Sequence, residues 1–527
     1  MSLRMLILFA GLAGAFCLPT NRSRGQDPVD ADVLLAGGTI YDGSGGDGMV
    51  GDVAIKDGKL AGIGKFPRGE ILRAIDCAGL VIAPGFIDLH NHSDVPIISP
   101  ETRANVNFLT QGCTTIVTGN CGGGPIRVKE YYDKIDAAGA GSNVAHLLPQ
   151  GSLRSEVLRQ VKRSPTSEEL ARMCALADAA MREGAWGMST GLIYIPGTFS
   201  ETSELIEINK VIGRYGGIYA SHIRNESTEL TSAVDEAIRI GREGKTPVHI
   251  SHFKASGPDA WGGLRVAAEM IEKARAAGEK VTADQYPYIA SSTSLEATVL
   301  PAWSREGGRS ELEKRLKDDQ QRAKIRAEVE SSLARKGPIQ IAAYRPKPAY
   351  IGQTLDKIAA GEQVAVCDLV LQIEERGGAR IVNFGMNEEE VRFGMTLPWV
   401  ATASDGGARI PGSEQPHPRN FGTFPRKIGL YAIRERVIPL AVAIRSASGL
   451  PADILGLADR GYLRVGLAAD VVVFDPQKLI DRATFDQPQQ YSAGVVHLLV
   501  NGTPAIADGS PTGALAGCAL RRKSPTP

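Results

Sequence analysis

Residues 81–94, VIAPGFIDLHNHSD, form an apolar run that ends in His90, Asn91 and His92. An apolar run of this length, punctuated by Pro84 and Gly85, reads as a buried strand. Residues two apart on a strand project to the same face, so the two imidazoles can converge on one ion where the strand ends. Taken alone, His-x-His is equally consistent with two ordinary surface histidines. Its surroundings decide otherwise: Asp88 precedes the pair, Asp94 follows it, and later strand-like segments also end in residues able to bind metal.

Those segments are 114–121, 143–150, 186–191, 217–222, 247–252, 280–284 and 398–405, which with the first make eight. Amphipathic helical stretches at 168–184, 204–216, 230–244 and 264–278 separate several of them. Strand and helix alternating to a count of eight predict an α/β fold, a (β/α)8 TIM-type barrel with its chemistry at the strands' C-terminal ends. More than a hundred residues separate the last two strands, including a charged helical run, and loops at strand ends can grow in this way without disturbing the barrel. An insertion subdomain or lid is expected there. Outside the barrel, residues 32–65, 463–476 and 494–505 alternate short apolar runs with Gly and Asp turns, the pattern of antiparallel strands. The two remote ends therefore predict one small β-sandwich domain. The expected division is a leader at 1–26, the small β domain from 27–83 and 463–515, the barrel from 84–295 and 393–462, the insertion at 296–392, and a C-terminal tail at 516–527.

The chain has 527 residues, 43% of them hydrophobic, enough for a large core. Its 59 basic residues balance 59 acidic ones, and aromatic content is 6%. No global field favours nucleic acid, and no basic patch with interleaved aromatics suggests a nucleic-acid module, so the expected partner is a small molecule. Arg4 precedes a nearly continuous apolar run at 5–18 and then a polar stretch, NRSRGQDP. This reads as a secretory signal, which predicts export to the periplasm or medium. It is short for a membrane span of about 20 residues, so membrane attachment would come only through an uncleaved leader. Phe16 argues against lipidation of Cys17. The seven cysteines are sparse and odd in number, unlike a disulfide framework.

The chemistry-bearing residues collect at strand ends. His90 and His92 follow strand one, Cys121 in TGNCGGG follows strand two, His222 in SHIRNE ends strand five, His252 in SHFKASG ends strand six, and Asp405 in ATASDGG ends strand eight. Each has a bland alternative: a free cysteine is usually an inert buried thiol, and a lone histidine is often a satisfied core residue. Their joint appearance on one barrel rim carries the argument, and a nitrogen, sulfur and oxygen set suits zinc. Zinc acidifies bound water to a pKa of about 7 and polarises a carbonyl, so amide or ester hydrolysis follows. Asp405 could carry the proton from the attacking water to the leaving nitrogen. Lys254, Tyr286 and Ser292 are candidates to bind a substrate carboxylate. His249 lies three residues before His252 and faces the other way on a strand.

With these residues in place, the chain resembles the N-acyl-D-amino-acid deacylases (D-aminoacylases) of the amidohydrolase superfamily. The resemblance runs from about 32 to 515 and rests on APGFIDLHNHSD, GNCGGG, SHIRNE, SHFKASG, DQYPY and ATASDG. Many superfamily members carry a metal-bridging lysine on strand four, where this chain reads GAWGMSTGL, and the D-aminoacylase branch instead uses a cysteine at strand two. The resemblance implies that Cys121, His222 and His252 hold a tight zinc, that His90, His92 and Asp405 form a second, weaker position, and that Asp405 is the general acid/base. Lys254, Tyr286 and Ser292 would grip the α-carboxylate. The implied reaction is hydrolysis of an N-acyl-D-amino acid to a carboxylate and a free D-amino acid. Two alternatives remain: a cyclic-amide hydrolase of the dihydroorotase or hydantoinase type, or a dipeptidase-like relative, against which the missing lysine counts; and a catalytically dead barrel acting as a scaffold, which should purify without zinc.

Overall fold

The structure, a computed structural model, describes residues 27–523; the expected leader at 1–26 lies outside the described residues. Eight barrel strands follow in order: β1 (Phe86–Asp88), β2 (Cys113–Thr118), β3 (Asn143–His146, resuming at Leu148–Pro149), β4 (Gly187–Gly191), β5 (Ile218–His222), β6 (Val248–Ile250), β7 (Val281–Gln285) and β8 (Val400–Thr402). Neighbours pair in parallel from β1 to β3 and from β3 to β8. Between β8 and β1 there is only a single parallel bridge, Asn91 to Gly406, so this seam is closed by loops.

The strands form because they are buried along their whole length. Every residue of β2, CTTIVT, is buried, as is every residue of β4, GMSTG. Small residues permit this crowding: a Cβ on Gly187 would lie 2.2 Å from the Ile218 carbonyl oxygen on the next strand. Around the barrel, the helices Ser167–Arg182, Thr202–Arg214, Leu230–Gly244 and Gly263–Ala276 each bury an apolar stripe. Thr166 starts the first of these with a reciprocal capping box to Glu169.

The opening run is two strands rather than one. Val81–Pro84 pairs with Val471–Phe474 and with Thr39–Ile40 in the small domain, whereas Phe86–Asp88 begins the barrel. The chain changes sheets at Gly85, where a Cβ would meet the Thr114 side chain at 2.3 Å. The small domain is one continuous nine-stranded sheet built from both ends of the described chain. Apolar side chains cover both of its sides, Leu35, Val53, Val471 and Val473 in one cluster and Ala31, Leu34 and Ala54 in another.

The insertion has its own core, including Leu312, Ile325, Val370 and Ile381. Its antiparallel sheet joins Ser291–Ser294, Arg380–Asn383 and Ile339–Ala343. The sheet thus starts upstream of residue 296, and Ser292 belongs to it rather than to a barrel loop. The polar run SSTS has no apolar alternation, so nothing in the sequence marks it as a strand. At the other end, Glu388–Thr396 packs on the barrel. Residues 516–523 run under the barrel's N-terminal end, where Trp186 Nε1 donates to the Leu520 carbonyl at 2.6 Å. Among the described residues, no helix is long and apolar enough to cross a membrane.

Candidate metal centre

All six expected ligands converge on the C-terminal rim. Cys121 Sγ lies 3.2 Å from His90 Nε2, 3.6 Å from His222 Nδ1 and 3.7 Å from His252 Nε2. His92 Nε2 and His90 Nε2 approach Asp405 Oδ1 to 3.0 and 3.5 Å. A tetrahedral zinc with bonds of about 2.0–2.3 Å holds its ligand atoms roughly 3.3–3.7 Å apart. The Cys121–His222 and Cys121–His252 spacings match that figure, and His90, Cys121 and His252 have their ligand atoms mutually close enough to share one ion. The donor set also fits, one thiolate among imidazoles. His90 stands between the two groups, within reach of both Cys121 and Asp405.

The backbone is distorted where the ligands sit. Cys121, His252 and Asp405 have φ of 52°, 38° and 50°, a left-handed region that favours glycine. The Cys121 loop is held from strand four: the Ser189 hydroxyl donates to the Gly119 carbonyl and accepts from the Gly122 amide at 3.0 Å. Strand four thus supports the thiol loop. A Cβ on Gly191 would meet the Cys121 carbonyl oxygen at 2.1 Å, so the close approach requires glycine.

Burial would push the Cys121 thiol up, but the His90 charge and hydrogen bonds with His222 and His252 bring it well below the ordinary thiol range. Burial likewise opposes ionisation of Asp405, and the charges of Arg419, His90 and His252 overcome it. Arg419 lies 2.7 Å from Asp405 Oδ2, leaving Oδ1 toward His92.

The expected substrate grip is arranged differently from the reading of the sequence. Lys254 is committed to Glu226 at 2.5 Å and to the His252 carbonyl at 3.0 Å, so its ammonium is not a free carboxylate binder. The Ser292 hydroxyl donates to the Ile381 carbonyl at 2.7 Å, because strand pairing turns it toward the insertion sheet. Tyr286 is buried with its hydroxyl facing only Met386 Sδ at 4.0 Å, and its ring carries Arg419 at 4.7 Å. These three residues and Asp405 line a small cavity of about 160 Å3. A larger cleft of about 1040 Å3 contains His92, Cys121, Asp405, Arg419 and Arg380.

Sequence reasoning missed Glu226, Arg419, Asp284 and Arg380. The Glu226 carboxylate lies 2.7 Å from His252 Nδ1 and 3.8 Å from His222 Nε2, so one carboxylate faces the outer nitrogens of both histidines. Its signal was present in SHIRNE, four residues after His222. Asp284 was visible in DQYPY, and Arg419 in QPHPRNFG, beside His417. That histidine is buried, with Nε2 2.8 Å from the Ala290 carbonyl oxygen, away from the ligands.

An eight-stranded α/β barrel with cysteine, histidine and aspartate gathered at its C-terminal rim defines a metal-dependent amidohydrolase. The comparisons agree. The amidohydrolase family profile matches residues 395–506. The chain is 35% identical over 520 residues to the D-aminoacylase of Alcaligenes xylosoxydans xylosoxydans, covering 94% of this chain and 99% of that one. It is 34% identical over 504 residues to the N-acyl-D-glutamate deacylase of the same organism, covering 91% and 95%. The solved structure of N-acyl-D-glutamate deacylase from Bordetella bronchiseptica, in complex with zinc and a phosphonate mimic of the tetrahedral intermediate, matches with a TM-score of 0.79 at 32% identity, covering 93% and 100%. The chain belongs to the D-aminoacylase family of amidohydrolases, metal-dependent enzymes acting on carbon–nitrogen bonds.

Proposed function

We propose that this enzyme hydrolyses the amide bond of N-acyl-D-amino acids with zinc, releasing a carboxylate and the free D-amino acid. The observation that carries this reading is the approach of His90, His222 and His252 to the Cys121 thiol beside Asp405, in a chain similar along nearly its whole length to enzymes with that activity. Those three residues would hold the tight zinc, with His90, His92 and Asp405 as a second, weaker position. Bound there, zinc supplies Lewis acidity toward the scissile carbonyl and toward water. Asp405 accepts the proton of the attacking water and returns it to the leaving nitrogen, while Arg419 fixes its other oxygen.

The substrate α-carboxylate meets Arg380, a cleft-lining guanidinium with no ion-pair partner among the described residues, while Tyr286 lines the smaller cavity beside it. Lys254 contributes its charge while tethered to Glu226. The cyclic-amide alternative is disfavoured by the strand-four GMSTG, and a dead scaffold would have no use for three strained ligand positions. Export remains part of the proposal, supported by Arg4 and the apolar run at 5–18.

Stripping the metal with a chelator should abolish amide hydrolysis, and stoichiometric zinc should restore it. Asp405→Asn should retain the tight zinc and lose about 10²–10⁴-fold in kcat. A zinc-free protein with full activity, or an Asp405→Asn variant turning over at the original rate, would refute the assignment.

A further inference from the structure

One carboxylate outside the ligand set touches both metal positions. Asp284, on β7, is buried at 1% exposure. Its Oδ1 accepts the backbone amide of His252 at 2.7 Å. Its Oδ2 lies 2.9 Å from His249 Nε2 and 3.4 Å from His90 Nδ1. Three parts of the barrel therefore meet on it: β7, the end of β6, and the loop after β1.

Each contact has a consequence for a ligand. The His252 amide belongs to a residue at φ 38°, and its bond to Asp284 fixes that strained backbone. Among the described residues His90 Nδ1 has no hydrogen-bond partner elsewhere, and Asp284 is the group that its outer nitrogen faces. His249, which is outside the candidate ligand set, is explained by the same carboxylate. A carboxylate only accepts, so His249 Nε2 carries the proton, and its Nδ1 lies 2.9 Å from the Thr282 hydroxyl. The imidazole is thus clamped between Thr282 and Asp284 and holds Oδ2 where His90 needs it.

We propose that Asp284, held by His249, is a positioning residue that sets the geometry of both metal positions at once, through the His252 backbone for the tight one and through the His90 ring for the second. The role assigned to Asp284 rests on zinc being the resident ion. Partners of this kind behind a ligand typically contribute 10–100-fold to metal affinity.

The test compares zinc affinity, measured by competition with a chromophoric chelator, in the full chain, Asp284→Asn and His249→Gln. The unfolding temperature of each zinc-free protein is measured alongside. Asp284→Asn keeps an oxygen for the His252 amide but loses the charge and the second acceptor, so zinc affinity should fall about 10–100-fold. His249→Gln retains an N–H donor for Asp284 and should lose less, in the same direction. If Asp284→Asn does not fold, the His249→Gln affinity decides. A purely structural role would lower the zinc-free unfolding temperature and leave affinity alone, which would overturn the proposal, as would wild-type affinity in a folded Asp284→Asn. A wild-type chain that takes up no zinc would instead refute the functional reading itself.

Discussion

At Cys121, His252 and Asp405 the backbone adopts a conformation costing about 1–3 kcal/mol per residue, which persists only where surroundings over-determine it. Here the surroundings are named: Ser189 and Gly191 for Cys121, Asp284 for His252, and the His90 carbonyl, 2.8 Å from the Asp405 amide. A second residue-scale cost lies away from the site. Among the described residues, Lys427 is buried with no hydrogen-bond partner for its ammonium, and burial alone brings its pKa down to about 7. An unfolded lysine titrates near about 10.4, so between these values the unfolded chain binds more protons and stability rises with pH. Lys427→Met should therefore raise the unfolding temperature by several degrees at pH 7, with the gain shrinking toward pH 10. An equal unfolding temperature at pH 7 would contradict this. The gathering of histidine, cysteine and aspartate on one rim was legible because these residues recur at strand ends. Glu226 and Arg419 were not, because a charged residue in a polar loop reads as solvated until the fold turns it inward.

Among the elements, the parallel strands were legible from their apolar runs and the intervening 3.6-residue periodicity. What escaped was the change of sheet at Gly85, since one apolar run serves two sheets there, and the strand Ser291–Ser294, whose partners lie far along the chain. That insertion sheet matters because it carries Arg380 to the cleft wall. Arg380 stands exposed on that wall, with no ion pair among the described residues. Arg380→Ala should raise KM about 10–100-fold while changing kcat much less, as expected for a group that binds the carboxylate without meeting the reacting atoms. An unchanged KM would remove Arg380 from the substrate site.

For the whole molecule, the two remote β-rich ends were legible as one domain, and they do join in one sheet. The course of residues 516–523 beneath the barrel was not legible, because its partners, among them Asp133 and Asp136 for Arg521, lie nearly four hundred residues away in sequence. Zero formal net charge with a deep, arginine-bearing cleft suits a small anionic substrate rather than a polymer. The central claim, a zinc deacylase of N-acyl-D-amino acids, is tested most directly by incubating the zinc-loaded protein with matched N-acetyl-D- and N-acetyl-L-amino acids and measuring amine release. Turnover confined to the D-substrates is the predicted result; turnover of neither, with zinc bound stoichiometrically, would contradict it.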